Sequence, residues 1–395
     1  MTLVRNVDTG GKAAVRALVI GVGKYPWLVG GMQARDVRVT EGMGQLASPP
    51  ISAREFAAWV EREFWHPDRQ VATIDLLLSD PDSDAYSALD GTVHPIEPAT
   101  RNGIKEAARR WKNAAGPDDL LLFFFCGHGI VSGFQVGLLA EDYGSDEEQP
   151  FDGAFGFDGF VETMRGATAA RQVFFVDACR VGSDALLRSQ HVYRLDPLLG
   201  LPFAMNPDVK QAVYYSTLPG QPAFGRIDQQ SLFTTALLRS LRGAAATDNN
   251  DRWAIETTML QRSLDFFLDD IADPANGRLQ TPQTGMQAVF EIVGMQVAPV
   301  VPLMLRPVWH EGEEPPDEVQ DVSIRRDDGF ICAWAHPWPP GESTTWAPSR
   351  FATDLEVGWR YTCTVSFSGG DPFVSQSRHL MPPYRIVEVR RDGDS

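Results

Sequence analysis

The chain has 395 residues, a formal net charge of −17 and 43% hydrophobic residues, enough length and apolar content for two domains with a core of their own. An acidic balance without clustered Lys and Arg argues against a nucleic-acid partner. No apolar run approaches roughly 18 residues and no charged-then-apolar leader precedes Ala17, so a cytoplasmic chain without a membrane partner is expected.

The first buried strand is Ala17-Leu18-Val19-Ile20-Gly21-Val22-Gly23. Its Gly-x-Gly lacks the third glycine of a dinucleotide loop, Pro26 stands where a helix should begin, and no Gly-Lys-Ser/Thr follows; a tight turn is the better reading. Residues 24–51 read as a surface loop near a pocket. Ser52-Ala53-Arg54-Glu55 forms a capping box that opens a helix through Phe56, Ala57, Val60, Glu63 and Phe64. Val71 to Leu78 is the next strand, and Asn102 caps a helix whose inner face is Ile104, Ala107, Ala108 and Trp111. Strands alternating with helices predict a doubly wound, mostly parallel α/β sheet.

Two fully apolar runs follow. Leu120 to Phe125 ends at Cys126-Gly127-His128-Gly129, and Val173 to Val176 ends at Asp177-Ala178-Cys179-Arg180. Such runs are central parallel strands buried on both faces, and their C-terminal ends are where such folds build sites. His128 and Cys179 lie 51 residues apart, so adjacent strands bring imidazole beside thiol, a cysteine-nucleophile constellation. Cys126 lies inside its strand and reads as a buried thiol; with Cys332 and Cys363 it is expected to be free in a reducing compartment. The acidic loop Glu141 to Glu148, with Asp152, has no EF-hand spacing and reads as a solvated loop. A short helix holding Phe160, Val161 and Met164 then leads to the second apolar strand.

Beyond the cysteine a helix is expected from Val181 to Arg188, then a loop to Lys210, a strand over Ala212 to Thr217, and helices over Ser231 to Leu241 and Thr257 to Ile271. Composition shifts over Pro274 to Gly285, which sets a boundary near residue 295 and two domains, 1–294 and 295–395. The second carries strand-like runs at Val300 to Leu305, Gly329 to Ala335 and Arg360 to Phe367, the pattern of a small antiparallel β-sandwich, with Trp338 and Trp346 as core or contact residues.

A free thiol with pKa ~8.5 is only slightly ionised at neutral pH, so Cys179 needs a base or a cation, and His128 supplies one. Whether the imidazole deprotonates the thiol or protonates the leaving amine is open at this point.

These two elements resemble the signatures of caspase-fold cysteine peptidases, the group of caspases, metacaspases and their bacterial relatives. Asp177 stands where caspases carry Gln and Val181 where they carry Gly, closer to the metacaspase-type Asp-x-Cys. The resemblance covers about the first 290 residues and implies a cysteine endopeptidase acting on a protein or peptide substrate, with the backbone N–H groups of Gly129 and Cys179 as its oxyanion hole. It also implies that Asp177 lines a pocket for Arg or Lys before the scissile bond. The second metacaspase acid, in a Leu-x-Gly-x-x-Asn-Asp-Ala pattern, falls on Ser52 in one register and on Asp36 in another. Ser216 belongs to the segment that walls the substrate groove, where a peptide pairs as an added strand. Some metacaspases depend on calcium, and relatives often cleave themselves after the nucleophile strand, where Arg188, Arg194 and Lys210 are available. Bacterial relatives often serve in cell-death or phage-defence modules controlled by other proteins; the C-terminal domain, which carries no catalytic constellation, is expected to be a scaffold or partner-docking surface. The alternative is a caspase-fold scaffold that recruits a partner without hydrolysis.

Overall fold

The structure is a computed structural model that describes residues 2–36, 40, 42–132, 135–149, 151–182, 195–225, 228–249, 252–270, 280–308, 319–335, 352–367 and 371–391. Among these, no helix is long and apolar enough to cross a membrane.

The chain divides into two compact units, Met1–Arg239 with Glu256–Gly294, and Ser240–Ile255 with Met295–Ser395. The first is built on a seven-stranded sheet of β1 (Leu3–Asn6), β2 (Ala14–Val22), β3 (Gln70–Ser79), β4 (Leu120–Gly127), β5 (Arg171–Ala178), β6 (Lys210–Tyr215) and β7 (Gln283–Gln287), in the order β1-β3-β2-β4-β5-β6-β7. The five inner strands are parallel, and β1 and β7 run antiparallel at the edges. The expected mostly parallel α/β sheet is therefore present. Strand order reverses between β2 and β4, and the crevice beyond the carboxyl ends of strands at such a switch point is the usual ligand position in a doubly wound sheet.

Every residue of β4 is buried because helices cover both faces. On one face, α2 (Arg101–Asn113) and α3 (Phe157–Met164) supply Ile104, Trp111, Phe157 and Phe160 to a core that includes Phe123, Phe125 and Phe174. On the other, α1 (Ser48–Arg62) sets Phe56 in a stack on Phe124 at 4.6 Å and edge-on to Phe175 at 5.7 Å. That face continues with α4 (Leu232–Arg239) and α5 (Thr257–Asp270), whose Phe267 packs under Arg239.

Four expectations about helices are corrected. α1 begins at Ser48, with Pro49 and Pro50 in its first turn, where proline costs nothing because those N–H groups have no intrahelical partner. Ser52 is thus inside the helix and not its cap. α2 is capped by Thr100, whose hydroxyl accepts the Gly103 N–H at 3.2 Å, and Asn102 lies within the first turn. In place of a helix opening at Val181, Val181–Gly182 is a short strand; the rest of that expected helix, with Arg188 and Arg194, lies outside the described residues. α4 ends at Arg239 and a π-helical turn, Ser240–Ala244, follows. Ile271, Trp338 and Trp346 also lie outside the described residues.

Gly21 and Gly23 belong to the first strand's tight exit. A Cβ on Gly21 would stand 2.7 Å from both Ala53 Cβ and Pro49 O, and one on Gly23 2.4 Å from Leu46 O. These glycines let α1 and its leading loop pack on β2.

In the second unit, strands Val300–Pro307, Val319–Arg326, Ile331–Ala335, Ala352–Glu356, Arg360–Phe367, Phe373–Val374 and Arg385–Arg391 belong to one sheet, and Arg378–His379 pairs with Arg360–Phe367 off its main path. Its pairs are antiparallel except for Val300–Pro307 against Arg385–Arg391. Arg360–Phe367 alternates buried positions with exposed or half-buried ones, with Tyr361, Cys363, Val365 and Phe367 inward.

Candidate active site

Two parallel strands carry the site. β4 and β5 pair from Leu120 opposite Arg171 to Gly127 opposite Ala178, a constant offset of 51 positions. The offset resumes beyond the site, where Ile130 lies opposite Val181 and Val131 opposite Gly182. His128 and Cys179, also 51 apart, fall in the gap between these two matched ladders. The continuation is part of a small four-stranded sheet formed by Val181–Gly182, Gly129–Ser132, Gln135–Leu139 and Ala154–Gly156, in that order.

The histidine is gripped from three directions. Its backbone N–H donates to the Tyr25 hydroxyl at 2.9 Å, its carbonyl accepts the Leu139 N–H at 3.1 Å, and its ring lies 4.8 Å from the Tyr25 ring. The ring Nε2 is 2.7 Å from the Gly44 carbonyl. A carbonyl oxygen only accepts, so Nε2 carries the proton and, in the neutral ring, Nδ1 keeps its lone pair. Burial pushes the His128 pKa below 6.5, opposed by the Gly44 bond, so the resting imidazole is neutral at pH 7.

Cys179 is half-buried. Its sulfur accepts the Ala223 N–H at 3.1 Å, and among the described residues no hydrogen bond joins it to the His128 ring. Burial raises its pKa, against the N–H of Ala223 and its own backbone, so the resting group is a thiol. The loop over it is fixed by the Arg180 N–H to Gln221 O at 3.1 Å and the Gly220 N–H to Arg180 O at 2.7 Å. Arg180 turns away from the thiol, its guanidinium 4.3 Å over the Tyr215 ring and bonded to Gln283 and the Thr217 carbonyl.

Gly129 begins the strand after His128, and a Cβ there would stand 2.5 Å from the Cys179 carbonyl oxygen. Glycine is needed at this point because the two strand ends approach so closely, a different reason from the expected room for a substrate carbonyl.

Asp177 is 3% exposed on the α1 and α4 face. Its Oδ2 accepts from the Ser231 hydroxyl, from Thr234 Oγ1 at 2.8 Å and from the Cys126 thiol at 3.5 Å. Ser231 Oγ also caps α4 by accepting the Thr234 N–H at 3.0 Å. Desolvation raises the Asp177 pKa above the ordinary carboxylate value, and the three donors oppose it. Ser52 is fully buried beside this cluster, its hydroxyl accepting the Ser231 N–H at 3.0 Å. It supports Asp177 through Ser231. Asp36 is exposed on the loop after β2 and is not among the groups bonded to Asp177. Ser216 is buried just past β6, donating to the Ala178 carbonyl at 3.2 Å. Lys210 is the first residue of β6.

The acidic loop is tied to the fold: Glu141 accepts from Ser79 Oγ at 2.8 Å, Asp142 accepts the Arg101 N–H at 2.8 Å, and Glu147 pairs with Arg35. Among the described residues no group of three or more His, Cys, Asp or Glu is arranged to hold a metal ion.

Tyr25, the Gly44 carbonyl, Ser231 and Thr234 were not legible as site groups. Each reaches the site from a distant segment, and a backbone carbonyl leaves no mark in a sequence.

The site thus has an imidazole and a thiol at the C-terminal rim of a doubly wound sheet. A family model for the caspase domain matches residues 14–262, and the chain belongs to that family. A curated relative, the uncharacterized protein y4kE of Sinorhizobium fredii, is 24% identical over 201 residues, 49% of this chain; the alignment spans 56% of the relative's length. Among solved structures, the chain is similar to protein GSU0716 from Geobacter sulfurreducens, with TM-score 0.40, 16% identity, and 69% of this chain and 92% of that one covered. It is also similar to caspase-1 from Spodoptera frugiperda, with TM-score 0.40, 14% identity, and 72% and 92% covered.

Proposed function

We propose that the chain is a cysteine endopeptidase in which Cys179 is the nucleophile and His128 its proton-transfer partner. The observation that supports this reading is the matched register, in which both residues fall in the gap between two ladders of equal offset. Sγ attacks the scissile carbonyl as the thiol proton passes to Nδ1, the ring nitrogen left free by the Gly44 bond. The backbone N–H groups of Gly129 and Cys179 take the developing oxyanion. Nδ1–H then protonates the leaving amine, and a water molecule, deprotonated by the same nitrogen, cleaves the thioester and restores the thiol. Burial favours the neutral form of both groups at rest, so the thiol proton has to be moved to the imidazole in the course of the reaction.

Asp177 is the selectivity residue of this proposal. Among the described residues its partners are three neutral donors and no cation, and a substrate Arg or Lys side chain would supply the missing positive charge. The second unit serves as the docking surface for a regulatory protein, and the family likeness motivates a place in a bacterial cell-death or defence module.

The test is cleavage of a peptide library by the purified full chain, given its activator, beside Cys179→Ala. Loss of roughly a thousandfold or more, with wild-type products ending in Arg or Lys, is expected. Cleavage that survives Cys179→Ala refutes the assignment. A wild-type Cys179 left untouched by a thiol-directed peptidyl probe supports the rival, a non-hydrolytic module.

A further inference from the structure

The Gly44 carbonyl selects the tautomer of His128, yet it sits on a loop outside any long helix or strand. What holds that carbonyl in place is the neighbouring side chain. The Gln45 carboxamide reads the backbone of Tyr25 on both sides: Oε1 accepts the Tyr25 N–H at 2.8 Å, and Nε2 donates to the Tyr25 carbonyl at 2.8 Å and to the Val29 carbonyl at 3.1 Å. Backbone bonds flank the same point, with the Val29 N–H to Met43 O at 3.0 Å and the Leu46 N–H to Gly23 O at 2.9 Å.

Tyr25 is also the residue that touches His128 from the opposite side. It is fully buried, its hydroxyl accepts the His128 N–H at 2.9 Å and donates to the Leu139 carbonyl at 3.3 Å, and its ring lies against the imidazole. One amide therefore ties the residue that contacts Nε2 to the residue that holds the histidine backbone and ring. His128 sits inside a bracket closed by Gln45.

We propose that Gln45 is a positioning residue for His128, fixing the Gly44 carbonyl and Tyr25 relative to each other so that the ring is held as the Nε2–H tautomer with Nδ1 turned to the substrate. Gln45 touches neither substrate nor the reacting atoms. Its side chain is exposed, so its replacement removes three hydrogen bonds without opening the core. The proposal rests on the peptidase reading, and its test is built to fail separately from it.

Full-length chain is labelled with 15N-histidine, the His128 signals are assigned by their loss in His128→Gln, and the ring nitrogens are followed against pH in wild type, Gln45→Ala and Tyr25→Phe. Wild type is expected to show a protonated Nε2 and an unprotonated Nδ1. Gln45→Ala is expected to mix tautomers and to lower the His128 pKa, because the Gly44 bond that opposes burial is loosened. In turnover, kcat falls about tenfold to a hundredfold with KM within about twofold. Tyr25→Phe, which keeps the ring and the Gln45 bonds, is expected to lower kcat while leaving the tautomer unmixed. A Gln45→Ala protein whose His128 tautomer and pKa match wild type overturns the positioning role and leaves the peptidase reading intact. Equal mixing in Tyr25→Phe and Gln45→Ala also overturns it, since the effect is then general loosening. Cleavage that persists in Cys179→Ala instead removes the peptidase reading and leaves the NMR result standing.

Discussion

Gly129 and Cys179 meet backbone to backbone: a Cβ on the glycine would lie 2.5 Å from the cysteine's carbonyl oxygen and 3.0 Å from Ala178 Cβ. This contact, one residue beyond His128, is what brings the two strand ends together. Neither atom it meets belongs to the tip of a flexible side chain, so a methyl group is accommodated only by moving the nucleophile loop.

Gly129→Ala is therefore expected to fold with a loss of about 1–3 kcal/mol from overpacking and to lose most of its peptidase activity. Urea unfolding and peptide cleavage check the two effects. A variant with wild-type turnover contradicts the close approach as a determinant of the site.

His128 gives a pH signature in stability. Burial lowers its pKa in the folded chain below 6.5, so as pH falls through 6.5 the unfolded chain takes up a proton before the folded chain does, and stability declines. His128→Gln lacks that slope. Urea unfolding at pH 7.5 and 5.5 should show a larger loss for wild type than for the variant; a larger loss in the variant contradicts the buried neutral ring.

Asp177 works in the other direction. Its pKa is raised in the fold, so its contribution is most favourable below the ordinary carboxylate pKa of 3.8 and is lost as pH rises through the folded value. Asp177→Asn removes that loss, and the stability of the variant relative to wild type should grow from pH 4 to pH 7 while cleavage after Arg and Lys disappears. A relative stability that shrinks over this range, or unchanged cleavage after basic residues, counts against the assigned role.

Much of this was legible because the informative residues report on themselves. Leu120–Phe125 and Val173–Val176 are apolar without alternation, which only strands buried on both faces tolerate, and the polar residues that end them mark the rim. Helix starts were harder. Ser52 and Glu55 match a capping box, but Pro49 and Pro50 fit the first turn as well, and the helix takes the earlier start. Val181–Gly182 carries no local strand signal, being only two residues long; the strand exists through Ile130 and Val131, 51 positions earlier. The same non-locality hid the grip on His128, since its backbone partner Tyr25 lies 103 residues away.

The central claim is that Cys179 attacks a bound peptide with His128 beside it. The most direct measurement is intact-mass analysis, with peptide mapping, of the full chain after exposure to an irreversible peptidyl acyloxymethyl ketone bearing Arg next to the reactive group. The account predicts a single adduct on Cys179, absent in Cys179→Ala and formed at least about tenfold more slowly in His128→Ala. An adduct on Cys126 or Cys363 in its place, or labelling of Cys179 at the same rate without His128, would contradict it.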